Sequence, residues 1–224
     1  VTAAFDVRAA VTLIAITDRL GAGPADLIAR AQAAVRGGTT MIQLRLKDVD
    51  ARTLERVGRA LVAAVAVPVI VNDRVDVALA CGAAGAHVGA DDLPVAALRA
   101  VVPTGFLLGA SAGSDAELAA SVGADYVGIG AVHATGSKAD AGPPIGEGEF
   151  ARLAAAATRL GIPVVAVGGV TAERAAALRA AGADGVAVIG AVFGAADPAS
   201  GARALRAAFG PLPPGATRPV ASGR

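Results

Sequence analysis

Short runs of β-branched and aliphatic residues alternate along the chain with longer stretches of Ala, Leu and Arg at helical spacing. The apolar runs are "TLIAIT" (12–17), "MIQLR" (41–45), "VPVIVN" (67–72), "GAHVG" (85–89), "FLLGAS" (106–111), "DYVGIG" (125–130), "PVVAVG" (163–168) and "DGVAVIG" (184–190). Runs this short and this apolar predict strands of a parallel sheet whose two faces are both covered. Helices are predicted between them, near 24–37, 51–66, 74–81, 94–101, 114–121, 149–160, 171–181 and 198–209. Asp50 and Thr171 stand where helix N-caps belong, and glycine closes the helices at "RGG" (36–38) and "AAG" (180–182). Eight alternating β and α segments predict a (β/α)8 TIM barrel over residues 1–210, with a doubly wound open sheet as the structural alternative. The phrases "AAGAHVG" (83–89), "SVGADYVGIG" (121–130) and "AAGADGVAVIG" (180–190) resemble one another and read as one recurring αβ unit. From 211 to 224 the Pro, Gly and Ser content predicts a disordered tail.

One strand breaks the apolar rule. In "MIQLRLKD" (41–48), Gln43, Arg45 and Lys47 take every second place, with Leu44 and Leu46 between them. Alternate residues of a strand share a face. An amide and two cations on one face ask for an anion.

Composition narrows the partners. Lys plus Arg is 20 and Asp plus Glu is 19, so the net charge of +1 gives no electrostatic case for nucleic acid or an anionic membrane. The single cysteine, Cys81, excludes an internal disulfide and a Cys-based zinc site, and its apolar setting reads as a buried structural thiol. The N-terminal "VTAAFDVRAA" does not read as a signal peptide, and no apolar stretch approaches the length of a bilayer span. The expectation is a soluble, cytoplasmic protein. Barrels associate often, so a homo-oligomer is a further expectation.

The C-terminal ends of barrel strands are where such a fold builds its site. The polar residues expected there are Asn72 and Asp73, His87, Asp91 and Asp92, Ser111, and the segment "HATGSKAD" with His133, Thr135, Ser137 and Lys138. "VGG" (167–169) and "IGAVFG" (189–194) put glycine after the last two strands, which suits phosphate contact by backbone N–H groups and a short helix N-terminus, or else only tight turns. Asp73 and Asp92 follow adjacent strands and suit one Mg2+, or else they cap the helices that follow. Only two of the 20 basic residues are lysines, Lys47 and Lys138, which favours a specific role for both over solvated loop positions. His87 reads as a strand-end residue with a satisfied ring, and His133 as open to the pocket.

Taken in order, "QLRLK" (43–47), "VNDRVDVALA" (71–80), "HVGADDLP" (87–94), "GAS" (109–111), "ADYVGIG" (124–130), "TGSK" (135–138), "VVAVGGV" (164–170) and "ADGVAVIGAVF" (183–193) resemble the thiamine-phosphate synthase family. The resemblance implies a transferase that joins hydroxymethylpyrimidine pyrophosphate to thiazole phosphate by dissociative, Mg2+-assisted loss of pyrophosphate. It implies that Gln43, Arg45, Lys47 and Asn72 bind the pyrimidine pyrophosphate, that Ser111 and Lys138 face the same group, and that Asp73 and Asp92 hold Mg2+. Arg45, Lys47, Ser111 and Lys138 would carry the catalysis. Thr135 and Ser137 would hold the thiazole phosphate, with loop contacts from Gly169, Ile189 and Gly190. The chain departs from the family at Ala90, usually Gln, and in "GAVHAT" (130–135), where Ala131, His133 and Ala134 replace Pro, an aromatic and Pro. It departs again at Ile14, commonly aromatic, and at Gly190, commonly Ser. These changes touch the organic-ring side of the pocket. A thiazole tautomerase-like isomerase and a non-catalytic phosphate-ligand binding paralogue are the alternatives. The isomerase would need its histidine base displaced from Ala131 to His133.

Overall fold

The computed structural model describes residues 5–136 and 142–211. Eight parallel strands close into a barrel in sequence order: β1 (Leu13–Ile16), β2 (Met41–Leu44), β3 (Val69–Asn72), β4 (Gly85–Val88), β5 (Leu107–Ala112), β6 (Tyr126–Ile129), β7 (Val164–Val167) and β8 (Gly185–Val188). The (β/α)8 expectation is met, and the open-sheet alternative falls because β1 pairs with both β2 and β8. The helices are α1 (Val7–Ala10), α2 (Pro24–Arg36), α3 (Ala51–Ala64), α4 (Val75–Cys81), α5 (Val95–Arg99), α6 (Asp115–Ala120), α7 (Gly146–Arg159), α8 (Ala172–Ala180) and α9 (Pro198–Phe209).

Strand alternation sorts the core into two layers. Leu13, Ile42, Leu44, Val71, Leu108 and Val164 face outward into the layer beneath the helices. Ile14, Met41, Ile70, Leu107, Tyr126 and Val165 face inward and fill the barrel. Val7, Ala10 and Val11 join that inner cluster, so α1 and the residue after it plug the N-terminal end. Arg8 fastens the plug by an ion pair with Asp184 at the start of β8. A four-residue helix carries too little periodicity to read in advance, and the sequence pattern did not predict α1.

The recurring αβ phrase has a physical basis. Asp125 stands just before β6, and its carboxylate accepts the N–H of Leu108 at 2.7 Å. Asp184 stands just before β8 and accepts the N–H of Val164 at 2.8 Å. Arginines, Arg99 and Arg8, neutralise the two carboxylates. Each carboxylate therefore satisfies a donor at the start of the preceding strand.

The helix caps only partly follow expectation. Asp50 caps α3, accepting the N–H of Thr53 at 2.8 Å. Thr171 sits at the N-cap of α8 but makes no side-chain cap bond; its hydroxyl instead helps hold the Glu173 carboxyl below the ordinary value. Cys81 is buried, as expected, and burial pushes its thiol up. Pro211 is the one described residue of the expected tail; 212–224 lie outside the described residues.

Candidate active site

The C-terminal ends of the strands enclose a cavity of about 460 Å3. Its floor is apolar, from Ile14, Ile16, Val165 and Ala187. Its walls carry the polar residues.

On one wall stand Gln43 at the end of β2, Arg45 just beyond it, Asn72 at the end of β3 and Ser111 on β5. The alternation of "QLRL" explains the first two: Leu44 and Leu46 are buried in the outer layer, so Gln43 and Arg45 turn inward. Thr17 fixes the turn, donating its hydroxyl to Arg45 O at 2.9 Å and accepting Arg45 N–H at 2.8 Å. The side chains of Gln43, Arg45 and Asn72 make no hydrogen bond among the described residues, although Gln43 is only 4% exposed. Buried amides are normally satisfied, so these groups are shaped to meet something in the cavity. Lys47 is placed differently from expectation. β2 ends at Leu44, Lys47 lies in the following turn, exposed, and it is not part of the cavity wall.

Ser111 is held from below. Its Oγ lies 3.0 Å from His87 Nε2, and His87 Nδ1 lies 2.9 Å from the Tyr126 hydroxyl. Both ring nitrogens are satisfied, as the sequence pattern predicted for His87. Burial pushes the Tyr126 phenol far up, so it keeps its proton. Gly109 makes room for this ring: a Cβ there would lie 2.2 Å from Tyr126 Cζ. Sequence reasoning did not select Tyr126, yet it is the chain's single tyrosine, set in an apolar strand.

The opposite wall is backbone. Gly168 and Gly169 both have left-handed φ, +93° and +61°. A Cβ on Gly168 would lie 2.5 Å from the Ala131 Cβ, and one on Gly169 would lie 2.7 Å from the His133 Cβ. The segment after β6 is zipped onto this turn, with Val132 N–H donating to Val167 O at 2.8 Å and His133 N–H to Gly168 O at 3.2 Å. Ala134 and Thr135 thereby reach the cavity beside Gly169, Ile189 and Gly190. The segment after β8 is a single turn, closed by Phe193 N–H on Ile189 O at 2.8 Å, rather than the short helix expected.

His133 corrects a second expectation. Its Nε2 faces Glu147 Oε1 at 3.4 Å, in the first turn of α7, and its ring is absent from the cavity wall. Its backbone packs on Gly169, which turns the side chain toward α7.

Asp73 and Asp92 do not cap helices. The N-caps of α4 and α5 are Arg74 and Pro94, without side-chain cap bonds. Asp73 has a left-handed φ of 61°, and its N–H donates to His87 O at 2.8 Å, which fixes it beside the end of β4. Asp92 accepts Gly89 N–H on Oδ2 at 2.8 Å. Two carboxylates after adjacent strands are hard oxygen donors, and that donor set fits a divalent cation that keeps water and phosphate oxygens as its other ligands. Among the described residues no group of three or more His, Cys, Asp or Glu side chains converges on a metal position. Ser137 and Lys138 lie outside the described residues. No helix among the described residues is long and apolar enough to cross a membrane.

Fold and cavity together define a (β/α)8-barrel enzyme with its pocket over the C-terminal strand ends. Residues 13–192 match the family model described as thiamine monophosphate synthase. A thiamine-phosphate synthase of Roseiflexus castenholzii is 49% identical over 195 residues, covering 85% of this chain and 84% of that one. One of Moorella thermoacetica is 48% identical over 198 residues, covering 86% and 92%. The solved thiamine phosphate pyrophosphorylase of Pyrococcus furiosus superposes with a TM-score of 0.79 at 33% identity, covering 91% of this chain and 98% of that one. The chain belongs to the thiamine monophosphate synthase family, transferases of thiamine biosynthesis.

Proposed function

We propose that the chain couples hydroxymethylpyrimidine pyrophosphate with thiazole phosphate, giving thiamine phosphate and pyrophosphate. The C–O bond between the pyrimidine methylene and the pyrophosphate breaks, and its electron pair leaves with the pyrophosphate. The thiazole nitrogen lone pair then forms the new C–N bond. Such a step needs charge neutralised on the leaving group and two rings held in line, with little covalent help from the protein.

One observation carries this reading: Gln43, Arg45 and Asn72 present side-chain donors to one cavity wall with no partner among the described residues. They suit the pyrophosphate, with Ser111 beside them. Lys47, from the turn after β2, and Lys138 would add positive charge toward the same group. Asp73 and Asp92 would hold Mg2+, which when bound offsets the negative charge of the leaving group. Thr135, Ser137, Gly169, Ile189 and Gly190 would seat the thiazole phosphate. Ile14, Ile16, Val165 and Ala187 on the floor offer no water-binding group beside the cationic pyrimidine methylene that the departing pyrophosphate would leave.

The test is pyrophosphate release on mixing protein, both substrates and Mg2+, with each left out in turn and thiamine phosphate followed in parallel. Release that needs every component, matched by thiamine phosphate, is the expected result. A folded protein that binds the pyrophosphate and releases none overturns the synthase reading and favours a binding role or another second substrate.

A further inference from the structure

The cavity is polar at two ends that lie apart. Arg45 and its neighbours stand over β2 and β3, and the glycine turns stand over β7 and β8. Going round the barrel, β8 and β1 separate β7 from β2. At a strand spacing of about 4.8 Å this sets the two ends on the order of 10 Å apart. One phosphate cannot use both.

The β7–β8 end has a cation of its own. Arg174, in the first turn of α8, lines the cavity, and its Nη1 donates to Gly169 O at 2.7 Å. The guanidinium is a planar fork of five N–H groups. The Gly169 carbonyl is its one hydrogen-bond partner among the described residues. The neighbouring Glu173 carboxyl is held below its ordinary value first by the Thr171 hydroxyl and only last by the Arg174 charge, and no hydrogen bond joins it to the guanidinium among the described residues. So the fork is anchored on the glycine turn by one N–H and presents the others at the cavity mouth. The position is one where a capping box would carry Glu, so helix capping does not account for the residue.

We propose that Arg174 makes the second-substrate end of the pocket selective for a phosphate monoester over the free alcohol. This rests on the proposed coupling reaction. The guanidinium contacts a phosphate oxygen seated over Gly169 and Gly190, and its bond to Gly169 O holds it there. Arg174 is exposed, so water and salt screen the contact and its effect is moderate and salt-dependent.

The experiment compares thiazole phosphate with the unphosphorylated hydroxyethyl thiazole as second substrates for the native protein, Arg174→Ala and Arg174→Lys. Arg174→Ala is expected to raise KM for the phosphate at least about tenfold while changing kcat/KM for the alcohol less than about twofold. Arg174→Lys should recover part of the loss, and added salt should raise KM less in Arg174→Ala than in the native protein. Equal losses for phosphate and alcohol would mean that Arg174 acts only by holding the Gly169 carbonyl, and would overturn the inference, as would no change. Calorimetric titration of the two thiazoles separates this inference from the coupling reaction. If the native protein forms no thiamine phosphate, weaker phosphate binding in Arg174→Ala still upholds the role of Arg174, and unchanged binding refutes it.

Discussion

His87 Nε2 lies 3.0 Å from Ser111 Oγ, which joins a hydroxyl of the cavity wall to the packed interior of the barrel. The other ring nitrogen continues the chain to Tyr126, which is 1% exposed. A side chain held this way has its hydroxyl direction set by the core. Tyr126→Phe keeps the ring and removes the hydroxyl, leaving His87 Nδ1 without that partner. The expected cost is about 1–3 kcal/mol, the penalty for an unsatisfied buried polar group. Urea unfolding measures it, and an unchanged midpoint would show that the bond contributes nothing.

Gly109 bears on the same chain through space. The Cβ of Gly109→Ala would meet Cζ, Oη and Cε1 of Tyr126 at 2.2, 2.4 and 2.5 Å. The ring cannot retreat, because Tyr126 is buried among the inner cluster. The strain expected for overpacking is about 1–3 kcal/mol. A lower thermal midpoint accompanied by reduced turnover is the predicted outcome; a stable and active Gly109→Ala protein would show that the interior yields.

The eight strands were readable because a parallel strand buried on both faces is an apolar run, and residues 12–17 through 184–190 each contain one. Gln43 and Arg45 were readable because alternation assigns faces. Lys47 was misplaced by the same rule, since alternation persists in the letters after the strand itself has ended at Leu44. The start of α7 at Gly146, ahead of the expected 149, was hidden by "GEGEF", whose glycines disfavour a helix in isolation. That helix start is fixed by tertiary bonds, Ile145 N–H to Ala131 O at 2.9 Å and Gly146 N–H to Val132 O at 3.0 Å. The Tyr126–His87–Ser111 chain spans three strands, and no local pattern records which inward side chains meet.

Asp73 offers a clean test of the cation site. Its left-handed backbone would penalise most substitutions, but asparagine tolerates that conformation. Asp73→Asn therefore removes charge without forcing the backbone. It should lower turnover at least about tenfold, corresponding to roughly 1.4 kcal/mol, and raise the Mg2+ concentration for half-maximal rate. Lys138→Ala should lower turnover by a similar factor with the Mg2+ dependence unchanged. Normal rates in both variants would remove these residues from the site.

Arg152 links α6 to α7, with Nη1 and Nη2 at 2.9 and 3.0 Å from the Asp115 carboxylate and Nε and Nη2 at 2.8 and 2.7 Å from that of Glu149. The hydrogen bonds from Arg152 hold both carboxyls below their ordinary values of 3.8 and 4.5. A carboxyl lowered by folding contributes stability above its unfolded value and loses it as the pH falls through its folded value. The contribution is therefore complete near neutrality and gone once both groups are protonated. All three side chains are exposed to solvent, so the effect is small and weakens with salt. Arg152→Ala should lower the thermal midpoint near neutral pH, and the gap to the native protein should shrink toward zero as acid takes the pH below 3.8 and through the lowered folded values of both carboxyls. A gap that stayed constant on acidification would mean that Arg152 acts through the packing of its alkyl chain instead of its charge.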